Sequence, residues 1–257
     1  MFTVTSEDMV SGWQSSPNVR GTTNILYNSI STIYLCAWVS LCLNLPQPGT
    51  NDWKLFLYKL RWHLVTVIFP EVIVATAAKQ WLSAKQSVKM FADLGYPSWT
   101  IRHVFFANMG AIILAPSDGP KFPIDSQQLA FLVQHGFLSM PQISSNDIRL
   151  ANKADGFARI IALIQMVWFC LYCVGRGVAA IGLAPLELTT LTFIFCTLHN
   201  FFFWFYKPMD PTRREVLRMD MPITVVTDTA GAPGAYVRTP LDFVTSPTDS
   251  KSLITPF

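Results

Sequence analysis

The chain has 257 residues, of which 51% are hydrophobic and 14% are charged, and its mean hydropathy is +0.35. Soluble domains carry roughly 25% charged residues, so this composition argues against an ordinary water-soluble globule. The abundant apolar surface argues equally against a disordered chain. The net charge of +3 is spread along the sequence without a basic stripe, and this argues against nucleic acid as a partner. We therefore expect an all-α integral membrane protein.

The first hydrophobic segment predicts a transmembrane helix over residues 25–45, preceded by an N-terminal segment, residues 1–24. The segment has no charges and is long enough to cross a hydrocarbon core of about 30 Å. Tyr27 and Asn28 belong to a polar stripe, with Asn24 and Ser31, that recurs at helical spacing and so occupies one face. Such a stripe faces the interior of a bundle, either as a hydrogen-bonding seam between helices or as the wall of a ligand site.

A second span is predicted over residues 64–78, with Pro70 and Glu71 at its midpoint. Residues 25–78 would then hold the first two transmembrane helices. Proline kinks a helix, and a carboxylate at membrane depth marks a candidate functional position. We therefore consider Glu71 a candidate catalytic residue. The alternative is that it bonds the backbone groups freed at the kink.

The middle region, residues 79–159, is amphipathic rather than membrane-spanning. Trp81, Ala84, Val88 and Phe91 share one helical face and charged residues occupy the other, as in a helix that lies on a bilayer surface. The apolar run 104–115 is too short to span and is either re-entrant or buried.

Asp125 and Gln128 have the spacing of a helix N-terminus in this same middle region. An acid or hydroxyl three residues before a glutamine is typical of a capping box. The spacing predicts a short helix that carries Leu129, Leu132 and Val133.

Residues 160–206 predict the last two transmembrane helices, over 160–174 and 186–206. On the third helix, four residues share a face: Gln165, Trp168, Tyr172 and Arg176. On the fourth, Glu187 lies near the start and His199 lies deeper. Each has a structural alternative: Arg176 could snorkel to the interface, Glu187 could cap its helix, and His199 could be a core histidine.

Residues 207–257 contain seven of the seventeen prolines, and we expect a mostly disordered tail. With about four spans, fifteen Lys and Arg residues fall on the side of both termini and four on the other. The positive-inside rule then predicts that both termini are cytoplasmic. No targeting signal is visible, so the endoplasmic reticulum is the default membrane.

Gly12-Trp13, followed by Pro17-Asn18-Val19-Arg20-Gly21-Thr22, resembles the opening of a family of fungal multi-pass membrane proteins with a GW…PN-x-RGT signature. Residues 99–110 and the pairs Pro70-Glu71, Leu186-Glu187 and Lys207-Pro208 also look like the family pattern, as does Lys153-Ala154-Asp155. The chain departs from the pattern at Cys42, where a histidine is expected, and it ends in a Pro-rich tail where relatives continue with membrane segments. Some family members look like products of specialised-metabolite gene clusters, so the resemblance implies a terpenoid or polyketide substrate.

Several chemistries have no motif in the sequence. It lacks a DDxxD run, a Walker loop, GxGxxG, HExxH and GxSxG, and its four histidines lack metal-ligand spacing. We therefore expect no metal and no cofactor. Isolated polar groups in a greasy cavity suit an intramolecular cyclisation such as a [4+2] cycloaddition, or an acid-triggered cyclisation. The expected catalytic residues are Glu71, Arg176, Glu187 and His199, and the expected substrate-binding residues are Tyr27, Asn28, Gln165, Trp168 and Tyr172.

Three classes of function remain open at this point. The first is a membrane-embedded, cofactor-independent cyclase or Diels–Alderase-like pericyclase of fungal secondary metabolism. The second is a non-catalytic membrane scaffold or accessory protein, and the third is a small transporter, which is disfavoured because inverted repeats are lacking. The expected partners are a hydrophobic small molecule, the lipid bilayer and a second copy of the chain.

Overall fold

The computed structural model describes residues 21–45, 50–150, 153–180, 182–209, 214–231 and 239–244. The signature residues before Gly21 lie outside these ranges. Within them the chain is mostly helical and has one small sheet, so the all-α prediction is correct only in part. The elements are α1 (Thr22–Ser40), α2 (Asp52–Ile68), α3 (Pro70–Asp93), α4 (Ile101–Asn108), β1 (Ile112–Ala115), β2 (Phe122–Pro123), α5 (Ser126–Gln134), α6 (Ser145–Leu150), α7 (Lys153–Val178), α8 (Pro185–Phe203), β3 (Glu215–Arg218) and α9 (Ile223–Thr229).

Two stretches of helix are long and apolar enough to cross a membrane, Gly156–Val178 in α7 and Pro185–Phe203 in α8. They correspond to the predicted third and fourth spans. A third candidate exists only if α2 and α3, bent by 108° at their junction, count as one broken span. The described residues therefore support two or three spans where the sequence predicts four. α1 is long enough, but its serines, threonines and asparagines lower its hydropathy.

The break between α2 and α3 lies at Phe69. Pro70 is the first residue of α3 rather than a kink within one helix, because proline lacks an N–H and suits the first helical turn. The predicted second span over 64–78 is therefore wrong as a continuous helix. Glu71 lies exposed in the first turn of α3, where a carboxylate favours the helix dipole.

α1, α7 and α8 form one helical unit, with α1 packed against both of the others, and we name it the membrane unit because it contains the two candidate spans. Its interior contains Cys36 and Val39 of α1, Met166 and Phe169 of α7, and Phe193 of α8. The outer surface of the same helices is apolar. It exposes Ile30 and Trp38 of α1, Phe157, Ile160, Ile164, Val167, Trp168, Leu171 and Val174 of α7, and Leu188, Phe195 and Phe202 of α8. An apolar exterior of this kind fits contact with lipid.

A globular unit is formed by α3, α4, α5, α9 and the sheet. The apolar face of α3 packs on α8, α4 and α5 with Ala84 and Phe91 fully buried. The amphipathic pattern is thus correct, but protein covers that face where the sequence predicts a bilayer. Residues 104–115 are buried as α4 and β1, one of the two predicted alternatives. Asp125 caps α5 through the predicted box: its carboxylate accepts from the Gln128 N–H at 2.8 Å.

The sheet has the strand order β2-β1-β3. β1 pairs antiparallel with β2 and parallel with β3, with Ile112 opposite Glu215 and Ala115 opposite Arg218. β3 and α9 belong to the segment predicted to be disordered, and Leu241 in the same segment is fully buried. That prediction is therefore wrong for these residues.

Candidate functional site

The polar stripe predicted on α1 does not face the bundle. Tyr27 is 73% exposed, and the buried polar residues of α1 are Ser29, Thr32 and Ser40, on a face rotated from the predicted one. Thr32 accepts a hydrogen bond from Gln165 at 3.0 Å, and the Ser40 hydroxyl donates to that of Thr197 at 3.3 Å. A hydrogen-bonding seam therefore exists on α1, but it is made by residues other than the predicted stripe, and Gln165 is bound to protein. Asn28 is half-buried, and its backbone carbonyl accepts from the hydroxyls of Ser31 and Thr32.

Arg176 and Glu187 meet at the α7–α8 end of the membrane unit. Their side chains are 6% and 0% exposed, and they form an ion pair. The guanidinium also donates to the Tyr172 hydroxyl at 3.1 Å, and the second carboxylate oxygen of Glu187 accepts the Ala184 N–H at 2.7 Å. Glu187 thus caps α8, which was the structural alternative for this residue, and Arg176 is buried in the protein rather than snorkelling.

Both oxygens of Glu187 are engaged within the protein, since one accepts from the Arg176 guanidinium and the other from the Ala184 backbone N–H. The Arg176 Nη2 is buried and has no hydrogen-bond partner among the described residues. The pair holds α7 to α8, and the spare Nη2 donor is the part of it that could contact another group.

The remaining predicted residues do not join this pair. The half-buried His199 donates a hydrogen bond from Nδ1 to the Phe195 carbonyl, and Trp168 is 63% exposed. Glu71 lies at the start of α3. The predicted catalytic set therefore does not form one site, although two of its four members are in direct contact.

A groove of about 630 Å³ lies at the opposite end of α8, where the chain leaves the candidate span. Its walls come from α3, from the turn that leads into α4, and from the end of α8. The lining residues are Trp81, Lys85, Val88, Pro97, Trp99, Thr100, Ile101, Phe202, Phe205 and Tyr206. Fifteen residues of helix separate Glu187 from Phe202, which corresponds to about 22 Å, so the groove and the ion pair are separate places.

The groove wall is held rigidly from behind by Trp99 and His103. Trp99 is buried and stacks on His103 with ring centroids 4.6 Å apart. His103 Nδ1 accepts the Thr100 N–H at 3.0 Å, so Nε2 carries the proton and donates to the Ile143 carbonyl at 3.0 Å. Burial lowers the pKa of His103, which keeps this ring neutral at pH 7.

Lys207 is buried beside the groove wall and fixes the end of α8. Its amino group donates to Gln80 Oε1 at 2.8 Å, and the same oxygen accepts from the indole of Trp204 at 3.1 Å. Burial lowers the pKa of Lys207 to about 8. Arg159 of α7 donates to the Lys207 carbonyl at 3.2 Å, so the two units are bonded together here.

Sequence patterns alone did not find the groove. Its aromatic residues come from segments more than 100 positions apart, and helical periodicity describes one helix at a time. The signal present in the sequence was the aromatic cluster of 201–206 beside Lys207, which is typical of a membrane boundary.

A family of unknown function, DUF8562, matches residues 2–227. The chain belongs to this family. The DUF8562 match extends from the N-terminal segment into α9, so it includes both units, every residue of the groove and the ion pair. No curated protein and no solved structure matches the chain.

In the part of the chain that the structure describes, no group of three or more His, Cys, Asp or Glu side chains is placed so that it could hold a metal ion. The groove lining itself contains one ionisable cation, Lys85, together with aromatic and aliphatic surface.

Proposed function

We propose that the protein is a membrane-embedded enzyme that binds an apolar terpenoid or polyketide intermediate in the groove and promotes its intramolecular cyclisation. The observation that carries the proposal is the groove itself. Its volume of about 630 Å³ lies within the range of small-molecule sites, roughly 300–1,000 Å³. Its position at the end of α8 lets a substrate dissolved in the bilayer enter from the side.

Shape is the main catalytic contribution in this proposal. Trp81, Phe202 and Tyr206 offer aromatic surfaces against which a flexible polyene can fold. Holding reacting carbons in a near-attack geometry can supply on the order of 7 kcal/mol of the barrier. The lining residues include no carboxylic acid, so this groove favours a cycloaddition over a proton-triggered cyclisation.

The resemblance to fungal specialised-metabolite proteins supports the substrate class, and the apolar exterior of the membrane unit supports an internal membrane such as the endoplasmic reticulum. In this proposal both termini are cytoplasmic and the bilayer is the permanent partner. The protein acts without a cofactor, alone or as a homo-oligomer.

The test is deletion of the gene in the source organism, followed by return of either the wild type, Phe202→Ala or Phe157→Ala. Both phenylalanines are exposed on membrane-unit helices, but only Phe202 lines the groove. We expect the deletion to accumulate a compound isomeric with a later pathway intermediate. Phe202→Ala should restore less product than Phe157→Ala at equal protein level in the membrane.

A metabolite profile that does not change on deletion would overturn the enzyme proposal and leave a scaffold role. A mass difference of one water would also contradict it, because a cycloaddition conserves mass.

A further inference from the structure

The groove lining is mostly apolar and aromatic, with one exposed positive charge, Lys85, among its described residues. Of the residues that the structure describes, Lys85 is the single charged one that lines the groove. Its ammonium lies 3.8 Å from the centroid of the Trp81 ring, a cation–π contact that holds the charge at the groove. Among the described residues no carboxylate forms an ion pair with Lys85.

Two further features of the groove lining are a buried donor that has no partner in the described part of the chain, and the start of a helix. Trp99 is 3% exposed, and its indole N–H has no partner among the described residues. An unpaired buried donor is uncommon in proteins. Thr100 and Ile101, which also line the groove, begin α4, so the positive end of that helix dipole lies there.

We infer that the ligand of this groove is an apolar acid: a single hydrocarbon chain with a carboxylate head group that binds at Lys85. The chain of such a ligand lies along Phe202, Phe205 and Tyr206, and the head takes the charge that the protein leaves unpaired. This inference rests on the proposed function, because it names the substrate class for the same groove. A two-chain membrane lipid offers a similar anion, but one groove of about 630 Å³ is the size of a single small molecule.

The test uses the full chain in nanodiscs of neutral phosphatidylcholine and two fluorescent probes. Parinaric acid is a conjugated polyene acid, and its methyl ester has the same chain without the charge. Binding of either probe is followed by energy transfer from tryptophan. We expect the wild type to bind the acid more tightly than the ester.

Lys85→Gln is the decisive variant, and Lys89→Gln is its matched control because Lys89 is exposed on the same helix one turn away and does not line the groove. Loss of one partly exposed charge pair should weaken the acid roughly fivefold and leave the ester unchanged. Lys89→Gln should change neither. Phe202→Ala should weaken both probes.

The outcomes separate this inference from the proposed function. If acid and ester bind equally and Lys85→Gln has no effect, the acid inference is overturned while the apolar groove stands. If Phe202→Ala changes neither probe, the groove is not the binding site and both proposals are wrong. If anionic phosphatidylserine in the nanodisc displaces the acid, a membrane lipid occupies the site in place of the free acid, which also overturns the inference.

Discussion

The membrane unit and the globular unit solve opposite solvation problems with the same chain. In the globular unit the large apolar side chains, among them Phe91, Phe105 and Leu129, are buried. In the membrane unit many of the large apolar side chains of α7 and α8 lie outside, while Arg176, Glu187 and Thr190 are buried. Burying apolar surface stabilises a protein in water, but lipid is as apolar as leucine, so packing and polar contacts must hold membrane helices together.

The comparison predicts that truncating a phenylalanine costs much more stability in the globular unit than on the outer face of the membrane unit. Phe91→Ala should destabilise the protein by about 4 kcal/mol, because it opens a cavity in a closed core. Phe195→Ala, on the outer face of α8, should cost much less in the same bilayer. Thermal unfolding in nanodiscs measures both, and equal losses would show that α8 is not lipid-facing.

The ion pair between Arg176 and Glu187 tests whether buried polar contacts stabilise the membrane unit. Glu187→Leu leaves Arg176 buried without its partner and should destabilise the protein by about 3 kcal/mol. The double variant Arg176→Met with Glu187→Leu removes both charges and should recover most of that loss. A double variant as unstable as the single one would mean that the cap on α8, rather than the pairing, is the important contact.

The buried Lys207, where the two units meet, makes the stability of the protein depend on pH. Its pKa is about 8 in the folded protein and 10.5 ordinarily, so between these values the unfolded chain binds more protons than the folded one. Stability therefore rises with pH across this window, and the cost of the buried ammonium is complete below it. Removing the charge with Lys207→Met should stabilise the protein at pH 7 by about 2 kcal/mol.

This benefit should shrink toward zero at pH 10.5. The control is Lys89→Met at the exposed position on α3, measured over the same pH range. A difference between Lys207→Met and wild type that stays constant with pH would contradict a buried, readily deprotonated lysine.

Local features of the sequence predicted more of the fold than long-range ones. The α7 and α8 segments follow from hydropathy alone, and the Asp125 box follows from spacing, since both depend on neighbours along the chain. The buried face of α1 was misplaced because Tyr27 and Asn28 tolerate an exposed position as well as Ser29 and Thr32 tolerate a buried one. Which face turns inward depends on partners more than 100 residues away, such as Gln165 and Thr197.

The candidate site shows the same limit. Arg176 and Glu187 were each recognised as unusual, and they are 11 residues apart, but their pairing needs the turn between α7 and α8. The groove needs residues 81–101 together with residues 202–206, which lie more than 100 positions further along the chain. β3 was missed because a short strand of mixed composition has no periodicity of its own.

The pairing of β1 with β3 means that the sheet is completed late in synthesis of the chain. Residues 116–214 connect the two strands and contain both candidate spans. Two paired strands lie on the same side of any bilayer, and the two candidate spans between them, α7 and α8, are an even number, as that arrangement requires. Because the chain is synthesised from its N-terminus, α7 and α8 are both made before β3, and only then can the sheet be completed. Until then the nascent globular unit carries an open strand edge, and a chain terminated before Glu215 would keep it.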